Sequence, residues 1–125
     1  MNATLWILQV LLAAVFAAHG WMLLFPPPDL LAIMNEQLGV GFRIFLGAAE
    51  LAGAAGLLLP GISRRLPWLT QVSAACLAFV VLSATVLHIA RNETSPALMT
   101  AVLFLLAAFV AYARWRVRPI AARNR

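Results

Sequence analysis

Apolar runs long enough to cross a bilayer recur four times in this sequence, and that repetition restricts the fold more than any motif does. The runs cover roughly 3–25, 39–59, 67–90 and 97–115, each close to the ~20 residues that a hydrocarbon core demands. Their breaks carry turn-forming residues: Pro26-Pro27-Pro28-Asp29, then Pro60-Gly61-Ile62-Ser63-Arg64-Arg65-Leu66-Pro67, then Arg91-Asn92-Glu93-Thr94-Ser95-Pro96. Lipid offers a strand no partner for its backbone, and the runs lack the alternation of a barrel. The expected fold is all-α, an antiparallel bundle of four transmembrane helices forming a single membrane domain over residues 1–125, with a basic tail at 116–125.

Composition excludes the soluble alternative. Of 125 residues, 64% are hydrophobic and only 10% are charged. A soluble domain of that size has too high a surface-to-volume ratio to hide so much apolar surface. A cleaved signal peptide also fits poorly, because no positive side chain precedes the first run and it ends in prolines rather than at a small-residue site. It is expected to be a retained helix. After the prolines, Asp29 is placed to cap a short interfacial helix, "LLAIMNEQL", that stops at Gly39. That helix reads as a connector on the membrane surface or as a lid over a pocket.

The nine basic residues are all arginines, and their distribution sets an orientation. Four spans put both termini on one side. Arg64, Arg65, Arg114, Arg116, Arg118, Arg123 and Arg125 share that side, and only Arg43 and Arg91 lie on the other. The positive-inside rule therefore places both termini in the cytoplasm. Arginines clustered just after an apolar helix suit an anionic lipid surface rather than a nucleic acid. Cys76 stands alone, which leaves no dithiol chemistry within one chain.

Ionisable residues inside a membrane are the functional candidates. His19, Arg43, Glu50 and His88 qualify. At a rise of about 1.5 Å per residue they lie about 9, 6, 16 and 3 Å from the outer helix ends. Side chains lean toward the N-terminus of their own helix. Glu50 should therefore lean outward and His19 and His88 inward, so that the three converge. Thr85, one turn before His88, should face the same way, and Arg43 should snorkel to the rim. Four readings follow. The polar groups tie the bundle together. They line a pocket for a small amphipathic molecule such as a quinone, whose ring carbonyl accepts a proton-bearing group. His19, Glu50 and His88 hold a metal, although no spacing signature marks one. Or Glu50 drives proton-coupled transport. Small four-helix exporters, however, carry their glutamate in the first helix and show little arginine bias. Helix packing should run through the four-residue spacings of Ala49 with Gly53 and Ala52 with Gly56.

The stretch "RIFLGAAELAGAAGLLLPGISRRLPWLTQVSAACLAFVVLSATVLHIARNE" resembles the DoxX-like family of small four-helix membrane proteins. An arginine precedes G-x-x-E-x-x-G-A-x-G-L-L-L-P, and a second apolar helix ends in His. "AAHGWMLL" matches more loosely, with Trp21 and Met22 near where relatives often carry a lysine. The family pattern falls on Arg43, Gly47, Glu50, Gly53, Gly56 and His88. The resemblance implies an inner-membrane bundle and a redox or quinone-linked system with a membrane or peripheral redox partner; the residues themselves carry no covalent-cofactor or metal motif, and a quinone is the cofactor such a system would use. The family's namesake is a subunit of a membrane thiosulfate:quinone oxidoreductase, and most relatives have no established activity. A non-catalytic accessory subunit is the alternative.

Overall fold

The computed structural model describes residues 2–123, and all of its elements are helical. Arg125 of the expected basic tail lies outside the described residues. The helices are α1 (Asn2–Leu24), α2 (Pro28–Leu38), α3 (Val40–Ser63), α4 (Trp68–Ala90) and α5 (Thr94–Tyr112), followed by a π-helical turn at Ala113–Val117. Four helices are long and apolar enough to span a membrane: α1, α3, α4 and the segment Thr94–Val117. They pack in a ring, α1 on α3, α3 on α4 and α4 on α5, with α5 closing more lightly on α1. α1 and α4 are therefore diagonal. Leu12, Phe16, Leu57, Leu77 and Val110 fill the centre.

The boundaries differ from expectation where proline is involved. α3 runs through Pro60 to Ser63 instead of stopping at 59. Proline is tolerated there because it removes only one backbone bond, close to the helix end, and neighbouring helices support the segment. The helix stops at Arg64, whose left-handed backbone (φ 56°, ψ 21°) turns the chain toward α4. α5 starts three residues early, at Thr94, because Pro96 falls in the first turn, where its missing N–H has no intrahelical partner to lose. Asp29 is no cap. It sits in the first turn of α2 behind Pro27 and Pro28, where its charge suits the positive end of the helix dipole. The short helix does stop at Gly39, as expected, with φ at 82°.

The seam between α1 and α3 brings two backbones into direct contact. Gly20 and Gly47 face each other so closely that a Cβ on Gly47 would stand 2.9 Å from the Gly20 carbonyl oxygen. Trp6 against Gly61, Gln9 against the Leu57 carbonyl and Gly20 against Gly47 step along both helices in opposite directions. Gly53 and Gly56 serve the α3–α4 seam, against Leu77 and Ser73. Ala52 departs from expectation. It is exposed on the outer face of α3, while Ala49 is half-buried, so the glycines rather than the paired alanines admit the neighbouring helices.

The end of the bundle that carries the tail is tied by Arg114, which its sequence position groups with the arginines suited to an anionic lipid surface. Arg114 is 1% exposed. Its Nε donates to Gln9 Oε1 at 2.6 Å, and its Nη1 donates to Asn2 Oδ1 at 2.6 Å and to the Arg118 carbonyl at 3.1 Å. The guanidinium also lies 5.2 Å from the centre of the Trp6 ring. Gln9 in turn donates to the Leu57 carbonyl at 2.7 Å. Arg114 continues the inward face of α5, four residues after Val110 and seven after Ala107, while Trp115 and Arg116 in the π-helical turn stay exposed. The following strap folds back across this end: Arg64 Nε donates to the Ala121 carbonyl, and the Arg123 N–H donates to the Arg64 carbonyl.

Two stability outcomes follow. Gly47→Ala should lower stability in detergent micelles by about 1–3 kcal/mol, because its methyl must push α1 away, whereas Gly41→Ala, with open space around it, should leave the melting temperature unchanged or slightly raised. Gln9→Leu should cost about 1.5–3 kcal/mol by taking the acceptor from a charged donor. A double-mutant cycle with Arg114→Met checks this, with a coupling near zero contradicting the tie.

Candidate functional site

Prolines organise the end of the bundle opposite the tail. In a helix each carbonyl accepts from the N–H four residues on, and Pro26, Pro27 and Pro28 have none to offer. The carbonyls of Met22, Leu23 and Leu24 are therefore left without intrahelical donors in an apolar setting. Arg43, 6% exposed, fills one of these vacancies: its Nη1 donates to the Leu23 carbonyl. Its Nε donates to Asn35 Oδ1 at 2.9 Å. One guanidinium thus joins α1, α2 and α3. The expectation that Arg43 points toward the rim holds in direction only. The side chain is buried under α2 rather than snorkelling to water.

One turn deeper lies the pair that the sequence singled out. Gly20 has no side chain, so the Glu50 Cβ approaches to where a Gly20 Cβ would meet it at 3.2 Å. His19, the residue before, then reaches the carboxylate: Nδ1 to Glu50 Oε2 is 2.6 Å. The two side chains differ sharply in environment. Glu50 is 4% exposed and His19 48% exposed. His19 stands at the lateral face of the bundle with Glu50 behind it. Val15 and Met22, four residues before it and three after, are exposed on the same face of α1.

The other predicted members go elsewhere. His88 Nδ1 pairs with Glu93 Oε1 at 3.1 Å, not with Glu50. Two causes combine: α4 is diagonal to α1, and the α4–α5 turn folds back through the left-handed Asn92 (φ 58°), which carries Glu93 to His88. Thr85 Oγ1 donates to the Val81 carbonyl at 2.7 Å and meets Thr100 Oγ1 at 2.7 Å, tying α4 to α5. The expected convergence of His19, Glu50 and His88 therefore reduces to His19 with Glu50. The metal-binding triad does not assemble, and among the described residues no three His, Cys, Asp or Glu side chains come together as a metal site. The sequence reading also missed Asn35, Glu93 and Gln9. Of these, only Glu93 carried a signal, being an acid five residues after a histidine across a predicted turn.

The pair has a defined chemistry. With two protons on it, as imidazolium and carboxylate or as imidazole and carboxylic acid, the outward Nε2 carries a hydrogen and is a donor. With one proton, held between Nδ1 and Oε2, Nε2 is a bare acceptor. A single proton thus converts the exposed face of His19 from donor to acceptor, while Glu50 stays behind it.

No curated protein and no solved structure matches the chain. Comparison with known families matches residues 7–110, most of the four-helix bundle, including Glu50, both histidines and the α1–α3 glycines, to the DoxX-like family. The chain is a multipass membrane protein that belongs to the DoxX-like family.

Proposed function

We propose that the protein is the membrane component of a redox or quinone-linked system, and that His19 and Glu50 receive the polar ring of a quinone from the lipid phase. The observation that carries this reading is the half-exposed imidazole backed by a buried carboxylate at 2.6 Å. A ligand dissolved in the bilayer arrives sideways, and His19 is the polar atom source on that path. A quinone carbonyl complements Nε2 as a donor, and a quinol hydroxyl complements it as an acceptor. Reduction to the quinol takes two electrons and two protons: the pair gives one proton through Nε2 to the near ring oxygen, water at the membrane surface supplies the second to the far ring oxygen, and both return as the ring is oxidised. The electrons come from a redox partner in or on the membrane. Glu50 positions the imidazole and stores the proton, and Val15 and Met22 offer apolar surface to the ring.

A structural role has its own support in Arg43, whose bonds hold three helices with no ligand involved. Purified protein in nanodiscs separates the two. His19→Ala and Glu50→Gln should each weaken binding of a short-tailed benzoquinone at least tenfold, read by fluorescence quenching, while the melting temperature falls little. Binding unchanged beside a large loss of stability would sink the quinone reading and favour the accessory role.

The arginine distribution supports a bacterial inner-membrane orientation with the tail end in the cytoplasm. All four carboxylate side chains lie in the opposite half, on Asp29, Glu36, Glu50 and Glu93. A cysteine introduced at exposed Ala122 of a Cys76→Ala protein should react with an impermeant maleimide in inverted vesicles and not in intact spheroplasts. Equal labelling from both sides would overturn the orientation.

A further inference from the structure

A groove of about 620 Å³ runs between α4 and α5, on the side of the bundle away from the α1–α3 seam. It exists because its floor is alanine: Ala75 and Ala78 on α4, Ala108 and Ala111 on α5. Larger side chains rise at its rims, with Phe79 and Leu82 toward mid-membrane and Tyr112 and Trp115 at the tail end. From Gln71 to Leu82 the groove follows α4 for about 16 Å at 1.5 Å per residue. One leaflet of hydrocarbon is about 15 Å deep. The groove therefore spans one leaflet and opens at the tail end.

The mouth is cationic. The Arg116 guanidinium stacks over Trp115 at 4.5 Å from the ring centre, so a groove-lining aromatic holds a positive charge at its opening. Arg64, Arg65 and Arg118 are exposed at the same end of the bundle. No aspartate or glutamate stands there to neutralise them, since the four acidic residues all belong to the other half.

We infer that this groove is a binding site for one anionic phospholipid of the tail-side leaflet, with an acyl chain on the alanine floor and the headgroup phosphate at Arg116. Length and charge both select this occupant. A single hydrocarbon chain fits between the rims. A partner helix, about 10 Å across, is held off the floor by the exposed Phe79, Tyr112 and Trp115. The Trp115 and Tyr112 rings sit where amphipathic aromatics settle at an interface, and Arg116 supplies the phosphate with planar paired donors. The site is separate from His19 and Glu50, which open on the other side and in the other half of the bundle.

Native mass spectrometry of the full chain, released from micelles titrated with phosphatidylglycerol or phosphatidylcholine, tests the inference. One phosphatidylglycerol should be retained per chain, bound about fivefold more tightly than phosphatidylcholine. Arg116→Gln should remove that preference and leave phosphatidylcholine binding as it was. Ala75→Phe, at an exposed position that leaves the core intact, should fill the groove and abolish retention of both lipids. Ala48→Phe, exposed on α3, should change neither. Equal retention of the two lipids by the unaltered protein overturns the headgroup assignment. Retention that survives Ala75→Phe overturns the groove, as does a dimer that Ala75→Phe dissolves.

Discussion

The contact between Gly20 and Gly47 is the constraint on which the rest of the α1–α3 half depends. Lipid supplies no hydrogen bonds, so a polar side chain within a span must find its partner on a neighbouring helix. That partner is reachable only if the helices are close. A bulkier pair at the crossing would hold α1 away from α3 and open the 2.6 Å link between His19 and Glu50. It would also draw Gln9 from the Leu57 carbonyl and Arg43 from the Leu23 carbonyl, which lie on either side of the crossing. Two glycines therefore set the geometry of three polar contacts spread along the seam.

Arginine does a second, less expected job. Among the described residues the ion pairs involve histidine with glutamate, and no arginine meets a carboxylate. The arginines instead donate to backbone carbonyls and amide side chains: Arg43 to Leu23 and Asn35, Arg114 to Gln9, Asn2 and Arg118, Arg64 to Ala121 and Ala122. Helix ends in lipid leave carbonyls unfilled, most of all where prolines follow. A guanidinium has five donors and serves several acceptors at once, which an ammonium on a flexible stem does less well. The all-arginine composition thus suits the way this bundle closes its ends.

This separates what the sequence made legible from what it hid. Span number and helix type are one-dimensional, and they could be read from run length and composition. The contact of His19 with Glu50 could be anticipated because Cβ direction is fixed along the helix axis, so side chains on antiparallel neighbours can lean toward each other. Azimuth was not legible. His88 misses Glu50 because the ring order puts α4 across the bundle from α1, and nothing in the spacing of one helix reports its neighbour. Arg114 was hidden differently. It groups by composition with the arginines that follow, yet it stands four residues after Val110 and seven after Ala107, on the inward face of the same helix. The three prolines did hold an unused clue, since they announce unfilled carbonyls near the one arginine in α3.

The asymmetry of the His19–Glu50 pair bears on which class of ligand suits it. Proton-coupled transport across the bilayer needs a carboxylate reached by water from each side in turn. Here the route along the seam toward one end is covered by Arg43 and α2, and toward the other by the buried Leu12 and Phe16. The open direction is lateral, through His19. A lateral opening suits a solute already dissolved in the membrane better than one soluble only in water. The same geometry explains why a histidine stands in front and a glutamate behind. An imidazole at the lipid face can be neutral in either protonation state of the pair, presenting a donor or an acceptor without a bare charge. A carboxylate in that position would face hydrocarbon alone, and the neighbouring glycine draws it instead into the seam.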